Sequence, residues 1–278
     1  MAPPGYSFVV AANDRGILKK NLLASPCLGK ESPHELLILE GHSSAACAYN
    51  CGLERSKNEV VVFVHQDVYL PHEFVPSVES ALHEIERSDP DWGVVGCWGV
   101  RDDRAKFGHL YTPGDGIAGA PFEQPERVRT LDEVVLILRK SSGLKYDEHL
   151  AGFHFYGADI CLTAAQAGRQ CYAISAFCVH NSRQYFDYPS DFYASYRYIK
   201  KKWKHWLPIQ TSCICVSRFD WDLKKRAIKR ALFKVSGRRL DRGSRLDDPR
   251  SILCQPPPKK RFASAPKAVS CCDSNLQF

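Results

Sequence analysis

Apolar and polar residues alternate along the first half of the chain in a pattern that predicts strands and helices in succession. The apolar run Val60–Val64 has the length of a buried strand, and apolar residues recur at helical spacing through Glu73–Arg87. Further strands are predicted at Tyr6–Ala12, Glu35–Leu39 and Gly93–Val100, and further helices at Ile17–Leu23 and Ser43–Ser56. Because this alternation is typical of parallel sheets with right-handed crossovers, we predict an α/β fold with a mostly parallel, doubly wound sheet.

The pattern becomes less regular in the second half of the chain. Residues 101–127 lack periodicity and are rich in glycine, which predicts a long loop of the kind that often forms a lid. Four later segments carry strand or helix patterns: a strand at Val128–Arg139, a helix at Gly157–Ala167, a strand at Cys171–Val179, and a partly helical, aromatic and basic stretch at Tyr185–Trp206.

The net charge of +7 is unevenly distributed along the 278 residues. Residues 224–278 contain 15 lysines and arginines against 4 acidic residues, whereas the preceding part has a small excess of acidic residues. Blocks of like charge usually form interaction arms and not a packed core. We therefore predict a folded domain over residues 1–223 and a basic tail over residues 224–278, which begins as a helix and continues as a partly disordered segment.

The composition limits the class of protein. Hydrophobic residues make up 44% of the chain and charged residues 25%, values that are ordinary for a soluble globular domain. No apolar run approaches the length of about 18 residues that a membrane span requires, and the first residues lack the features of a signal peptide. We expect no transmembrane segment, a cytoplasmic location, and twelve cysteines present as reduced thiols.

Three polar islands carry the candidate chemistry. Asp67 follows the buried strand Val60–Val64, at the strand edge where open α/β sheets bind ligands. A carboxylate at this edge either holds a cation or caps the next helix, and the local pattern fits both interpretations equally. Asp159 lies at a helix start, where a capping role and a role in the site fit equally well, and His180 lies at a strand end, where a hydrogen-bonded histidine is the simpler explanation.

A bound metal ion would give Asp67 and His180 a shared role. Asp67 and His180 suit Mn²⁺ or Mg²⁺, with phosphate oxygens and water completing the coordination. Neither GxxxxGK[ST] nor GxGxxG follows the first strand, so the usual phosphate-binding loops are absent from the sequence. A phosphate site in this chain would therefore depend on a metal, which increases the importance of Asp67.

Four segments occur in a characteristic order: Ser7–Asn13 with Asn21–Pro26, Ala48–Leu53, Phe63–Val68, and Gly152–Leu162 with Cys178–Ser182. Together they resemble glycosyltransferases with the A-type nucleotide-sugar fold, close to the family-2-like group. The similarity covers roughly Tyr6–Ser182. Within it, FVHQDV resembles the DxD motif, with His65 in place of the first aspartate.

The resemblance implies a role for each matching residue. Asp67 and His180 would hold Mn²⁺ or Mg²⁺, and Asp159 would be the base that takes the proton of an acceptor hydroxyl in an inverting transfer. The partners would be a nucleotide-sugar donor and a hydroxyl-bearing acceptor of unknown identity. Six matching residues would surround the nucleotide sugar: Ala11, Asn13, Glu40, Asn50, His65 and Gln66. Three would lie on the acceptor side: Trp98, Gly99 and Tyr156.

Two other functions remain open at this point. The first is a non-catalytic protein with this fold that binds nucleic acid or an anionic surface through Lys224–Lys267, together with the aromatic and basic stretch Tyr193–Trp206. That stretch also fits a helix that packs its rings on the core and turns its lysines to water. The second is a hydrolase that uses Asp67, Asp159 and a metal-bound water, although no second carboxylate accompanies Asp67.

Overall fold

The computed structural model describes residues 5–182, 188–236 and 244–253. Six α-helices are present in this part of the chain: α1 Arg15–Lys20, α2 Ala45–Arg55, α3 Phe74–Ser88, α4 Tyr156–Gln166, α5 Ser190–Lys202 and α6 Trp221–Ser236. The strands are β1 Ser7–Ala12, β2 Glu35–Glu40, β3 Val60–Val64, β4 Val68–Tyr69, β5 Val94–Gly96, β6 Trp98–Val100, β7 Lys106–Thr112, β8 Gly116–Gly119, β9 Glu126–Val128, β10 Thr130–Leu131, β11 Val135–Arg139, β12 Cys171–Ala173, β13 Cys178–His180, β14 Ile209–Gln210 and β15 Cys215–Val216.

A seven-stranded sheet in the order β2-β1-β3-β11-β5-β12-β9 forms the centre of the molecule. This arrangement confirms the predicted α/β class. The pairs β1–β2, β1–β3 and β5–β12 are parallel, and the three pairs made by β11 and β9 are antiparallel. The sheet is more mixed than the alternation of strands and helices predicts, because β11 enters between β3 and β5 after a long excursion of the chain.

A second sheet, in the order β10-β6-β7-β13-β4 with β8 beside β7, lies next to the first. The predicted single strands Gly93–Val100 and Cys171–Val179 are wrong in this respect, because each breaks and continues in the second sheet, as β5 to β6 and β12 to β13. The predicted loop over residues 101–127 is also wrong, since it contains β7, β8 and β9. Their many glycines obscure the strand signal in the sequence, and hydrogen bonds to neighbouring strands stabilise them.

Apolar side chains form a large cluster on each face of the central sheet. One cluster lies between the sheet and α2, α4 and α5, and the other between the sheet and α1 and α3. Helix α2 packs so closely on β1 that a Cβ added at Gly52 would lie 2.3 Å from the Val9 side chain. This close packing fixes the helix that forms one wall of the site described below.

The C-terminal part of the described chain contains α6 and a short segment that packs on the body of the fold. The predicted boundary at residue 224 falls within α6, and residues 244–253 return to the body, where Ile252 is buried. The remainder of the predicted basic tail, residues 237–243 and 254–278, lies outside the described residues. Among the described helices, none combines the length and the apolar composition needed to cross a membrane.

Candidate functional site

His65, Asp67 and His180 lie together at the edge of the two sheets. One candidate ligand atom from each side chain lies within 4.8 Å of the other two, and Nε2 of His180 is 3.5 Å from Oδ1 of Asp67. The local fold explains this proximity. His65 and Asp67 follow β3, and β4 pairs with β13 so that His180 is opposite Val68. The Asn181 N–H also donates to the carbonyl of Asp67 at 2.8 Å.

The three side chains influence one another's protonation. Burial would raise the pKa of Asp67, but His180, His65 and Arg245 together hold it well below its usual range. Burial and the neighbouring His180 lower the pKa of His65 to about 4, which favours a neutral imidazole. Burial also opposes charge on His180, yet the adjacent Asp67 carboxylate raises its pKa overall. The two histidines therefore have different electrostatic environments although they lie side by side.

The donor set fits a divalent cation. Nε2 of His65 is 2.7 Å from the Tyr156 hydroxyl, which lies 3.3 Å from the carbonyl of Glu133. If the hydroxyl donates to this carbonyl, it accepts from Nε2–H, and Nδ1 of His65 keeps its lone pair. Two imidazoles and one carboxylate suit Mn²⁺, and phosphate oxygens would complete the coordination. Asp67, His180 and His65 are thus the residues that would hold such an ion.

A cavity of about 340 Å³ lies beside this cluster, within the size range of small-ligand sites. Six residues singled out by the sequence line it: Ala11, Asn13, His65, Gln66, Asp67 and Tyr156. Six further lining residues were not predicted: Ala12, Leu39, Gly41, His42, Tyr49 and Phe153. The position of Gly41 and His42 just beyond β2, at the same sheet edge as Asn13, is the sequence signal that could have identified them.

Gln66 holds one wall of the cavity in place. Its side-chain oxygen accepts hydrogen bonds from the backbone N–H groups of Asn13 at 3.1 Å and Asp14 at 3.0 Å. Asp14 in turn caps α1 by accepting from the N–H of Ile17 at 3.0 Å. The loop between β1 and α1 is therefore fixed to the segment that carries Asp67.

The opposite wall contains a strained residue. Phe155, which precedes α4, has a φ of 67°, a left-handed conformation that is uncommon for residues other than glycine. Such conformations cluster at functional sites, where the surrounding structure maintains them. Here the turn directs the Tyr156 hydroxyl to His65 and leaves Phe153 exposed beside the cavity.

Several predicted residues are not among those that line the cavity. Glu40 forms a two-point ion pair with Arg15, with distances of 2.7 and 2.9 Å. Asn50 is buried and hydrogen bonds both backbone groups of Tyr146 at 2.9 Å. Trp98 and Gly99 lie in β6 of the second sheet.

Asp159 also lies away from the cavity lining. Its buried carboxylate accepts from Nζ of Lys202 at 2.8 Å and from Nε1 of Trp203 at 2.7 Å, which ties α4 to the end of α5. Burial raises the pKa of Asp159, and the bound lysine only partly opposes this shift. In this arrangement the carboxylate is occupied by the protein itself, and proton transfer from a substrate would require the Lys202 contact to open.

A second acid, Glu133, lies next to the start of α4. Burial raises the pKa of Glu133 to about 8, with a further increase from Asp132, while the N–H groups of Gly157 and Phe155 oppose the shift. The approach is close, because a Cβ added at Gly157 would lie 3.1 Å from Cγ of Glu133. The sequence pattern placed Glu133 inside a strand and gave no signal of this environment.

The central sheet, the flanking helices and a carboxylate–histidine cluster at the sheet edge define the A-type fold of nucleotide-sugar transferases. The family model of the glycosyltransferase like family matches residues 7–206, and the chain belongs to this family. The match includes every site residue proposed from the sequence.

Comparison of the chain with individual proteins gives low sequence identities. The chain is 30% identical over 163 residues to the protein called ATP synthase subunits region ORF 6 of Fuscovulum blasticum, a match of 56% of this chain and 64% of that relative. Among solved structures, S. aureus TarS 1-349 in complex with UDP-GlcNAc is 14% identical with a TM-score of 0.47, covering 71% of this chain and 66% of that one. GalNAc-T7 with UDP, GalNAc and Mn²⁺ is 11% identical with a TM-score of 0.45, covering 84% and 58%.

We predict that Glu133 makes the fold less stable as the pH rises. Its pKa is about 8 in the folded chain against an ordinary value of 4.5, so the folded state keeps a proton that the unfolded state loses. The contribution of Glu133 to the free energy of unfolding should therefore decrease between pH 4.5 and 8. Glu133→Gln should remove this contribution and exceed the unmodified protein in stability by about 2 kcal/mol at pH 8, with little difference at pH 4.5.

Urea unfolding in the presence of a chelator at several pH values measures this effect. Glu84→Gln is the matched control, because the Glu84 side chain is 39% exposed and pairs with Arg87 on the surface of α3. A stability difference for Glu133→Gln that does not change with pH would contradict the raised pKa of Glu133.

Proposed function

We propose that the chain transfers a sugar from a nucleotide-diphosphate donor to an acceptor hydroxyl, with Mn²⁺ or Mg²⁺ held by Asp67 and His180 together with His65. The observation that carries this proposal is the grouping of His65, Asp67 and His180 beside the cavity lined by Ala11 and Asn13. Membership of a glycosyltransferase family supports the reaction class. The bound cation would stabilise the negative charge that develops on the departing diphosphate.

The protein's own groups account for the remaining steps. Asn13, Gln66 and the other cavity residues would bind and orient the donor, and Tyr156 would keep His65 in one tautomer. In an inverting transfer, the acceptor oxygen bonds to the anomeric carbon as the bond from that carbon to the diphosphate oxygen breaks. The acceptor proton passes to a carboxylate.

Two carboxylates are candidates for this proton. The family resemblance assigns the role to Asp159, which in the described conformation is bound by Lys202 and Trp203. Glu133, beside Tyr156, has a pKa near neutrality, as a general base requires. We retain Asp159 as the proposed base, and the variants below distinguish it from Glu133.

Donor binding should depend on the cation through Asp67. In a panel of UDP-, GDP-, ADP-, CDP- and dTDP-sugars, we expect the matching donor to raise the thermal unfolding midpoint only when Mn²⁺ or Mg²⁺ is present. Asp67→Asn should abolish this shift and donor turnover. Asp159→Asn should keep the shift but lower turnover at least about 100-fold, because it removes only the proton acceptor.

The exposed Asp91→Asn variant is the control for loss of a carboxylate and should behave like the unmodified protein. Full metal-dependent turnover by Asp67→Asn would overturn the metal role of Asp67. If Glu133→Gln loses turnover while Asp159→Asn keeps it, the base is Glu133 and not Asp159.

A second candidate activity is association with an anionic membrane surface through α6. Three apolar residues of this helix, Trp221, Ile228 and Leu232, are 58%, 62% and 65% exposed. Their spacing of seven and four residues places them on one face of the helix. Other residues of α6 face the body: Leu223 packs on the core, Asp222 accepts from the N–H of Cys215 at 2.9 Å, and Arg226 lies over the Tyr188 ring at 3.8 Å. The apolar face of α6 is therefore turned outward.

The chemistry of α6 favours a lipid surface as the occupant of this face. Lys224 and Lys225 are exposed and border the apolar residues, a combination typical of helices that lie in an anionic membrane interface. Nucleic acid would use the lysines but leave Ile228 and Leu232 without a partner. The chain segment 254–278 contains four basic residues and one acidic residue, so it does not complement the charge of α6.

We predict that the protein co-sediments with vesicles of equimolar phosphatidylglycerol and phosphatidylcholine and not with vesicles of phosphatidylcholine alone. Ile228→Ser combined with Leu232→Ser should weaken binding at least about tenfold, because burial of both side chains is lost. Ile38→Ser, which changes an exposed apolar residue elsewhere, should have no effect. Equal binding to neutral vesicles, or a dimer that the double variant dissociates, would contradict the anionic membrane as the partner.

A further inference from the structure

A short C-terminal segment, residues 244–253, lies against the strand end that carries His180; we call this segment the strap. The backbone N–H of Leu246 donates to Oδ1 of Asn181 at 2.7 Å, and the Leu246 carbonyl accepts from Nδ2 of Asn181 at 2.9 Å. Asn181 is buried and directly follows β13. One side-chain amide thus binds both backbone groups of a strap residue, as a neighbouring strand would.

The far end of the strap is anchored by packing. Ile252, which is 5% exposed, joins Tyr69 and Val179 in a small apolar cluster under the second sheet. A short 3₁₀ turn at Pro249–Ile252 begins at Asp248, whose side chain accepts from the N–H of Arg250 at 2.9 Å. The strap is therefore held at two points, and its backbone has a defined path past the cluster of His65, Asp67 and His180.

Arg245 extends from the strap to this cluster. Its Nε donates to the carbonyl of Asn181 at 3.1 Å, and its Nη2 lies 3.3 Å from Oδ2 of Asp67. The other oxygen of Asp67 faces His180 at 3.5 Å. Charge-assisted hydrogen bonds are commonly 2.7–2.9 Å long, so the contact between Arg245 and Asp67 is a long, single one. The Arg245 side chain is 36% exposed, so its head group can exchange the long contact with Asp67 for another acceptor while the backbone stays in place.

The charges around Asp67 determine how its contact with Arg245 affects ligand binding. A divalent cation and the Arg245 guanidinium are both attracted to the Asp67 carboxylate, and they repel each other at short range. A diphosphate offers the guanidinium a better partner, because its oxygens accept two parallel hydrogen bonds from arginine. Binding of the donor would therefore draw Arg245 away from Asp67 as the cation binds to the Asp67 carboxylate.

We propose that Arg245 is a transferable counter-ion, paired with Asp67 before the donor binds and with the donor's diphosphate afterwards. This inference rests on the proposed transferase function. It makes cation and nucleotide binding more interdependent than direct contact between metal and phosphate alone would make them. A cation that arrives alone must overcome the positive charge of Arg245, whereas a cation that arrives with the donor does not.

Binding measurements without turnover test this role. Mn²⁺ affinity in the absence of nucleotide is measured by electron paramagnetic resonance of the free ion. Affinity of the Mn²⁺-loaded protein for UDP, GDP, ADP, CDP and dTDP is measured by calorimetry. Arg245→Ala should bind Mn²⁺ alone about tenfold more tightly, because a nearby positive charge is removed. The same variant should bind the preferred nucleoside diphosphate about tenfold more weakly, because a phosphate partner is lost.

Three further variants separate this role from general effects of charge or folding. Arg245→Lys keeps the charge but not the two parallel hydrogen bonds, so its Mn²⁺ affinity should match that of the unmodified protein while its nucleotide affinity falls part of the way toward that of Arg245→Ala. Arg250→Ala removes an equal charge from the strap, where its partner is Asp248, and should change neither affinity. Ile252→Asn leaves Arg245 intact but loosens the far end of the strap, and should shift both affinities in the same directions as Arg245→Ala and to a smaller extent. Thermal unfolding without ligands confirms that each variant is folded.

Each failure has a distinct result. If the unmodified protein binds neither Mn²⁺ nor any nucleoside diphosphate of the panel, the transferase proposal fails and the role of Arg245 fails with it. If it binds both and Arg245→Ala changes neither affinity by more than about twofold, only the role of Arg245 is overturned. A variant that binds Mn²⁺ alone more weakly would show that Arg245 positions Asp67 for the metal and does not compete with it.

Discussion

The pairing of β4 with β13 is the constraint on which the rest of the site depends. These strands are two and three residues long, yet their register places His180 beside Asp67 from a distant part of the chain. The hydrogen bond from Asn181 N–H to the Asp67 carbonyl fixes the same register. Because a buried carboxylate without a counter-charge is costly, the position of Asp67 is tolerable only while positive or polarisable groups remain close to it.

The acids around α4 illustrate how environment separates residues of similar chemistry. Asp159 is buried but receives a lysine and an indole N–H, so its charged form has partners. Glu133 is influenced by burial and by Asp132, with only backbone N–H groups in opposition, and its pKa rises to about 8. The family resemblance indicates Asp159 as the base, whereas the raised pKa indicates Glu133. The distinction matters because Asp159 can accept a proton from a substrate only when its contact with Lys202 opens.

The sequence predicts those parts of the fold and site that depend on local pattern. Val60–Val64 and the helices before residue 90 follow from periodicity, and Asp67 follows from its place at a strand end. The change of sheet at Cys97 does not follow, because a strand that crosses between sheets keeps the same apolar pattern on both sides. Asn50 and Glu40 could not be separated from cavity residues either, since their partners Tyr146 and Arg15 are chosen by tertiary contacts.

The basic C-terminal region shows most clearly why charge counts alone do not define a function. The composition of residues 224–278, taken alone, predicts a single interaction arm. In three dimensions the described part divides into two surfaces with different chemistry: α6 presents lysines beside an outward apolar face, and the strap turns Arg245 inward to Asp67. A guanidinium beside the carboxylate that we propose as a metal ligand would be an unfavourable neighbour for a lone cation and a favourable one for a diphosphate. The same positive charge can therefore weaken the binding of a lone cation and strengthen the binding of a diphosphate. Through these two effects Arg245 would make the cation and the nucleotide bind together.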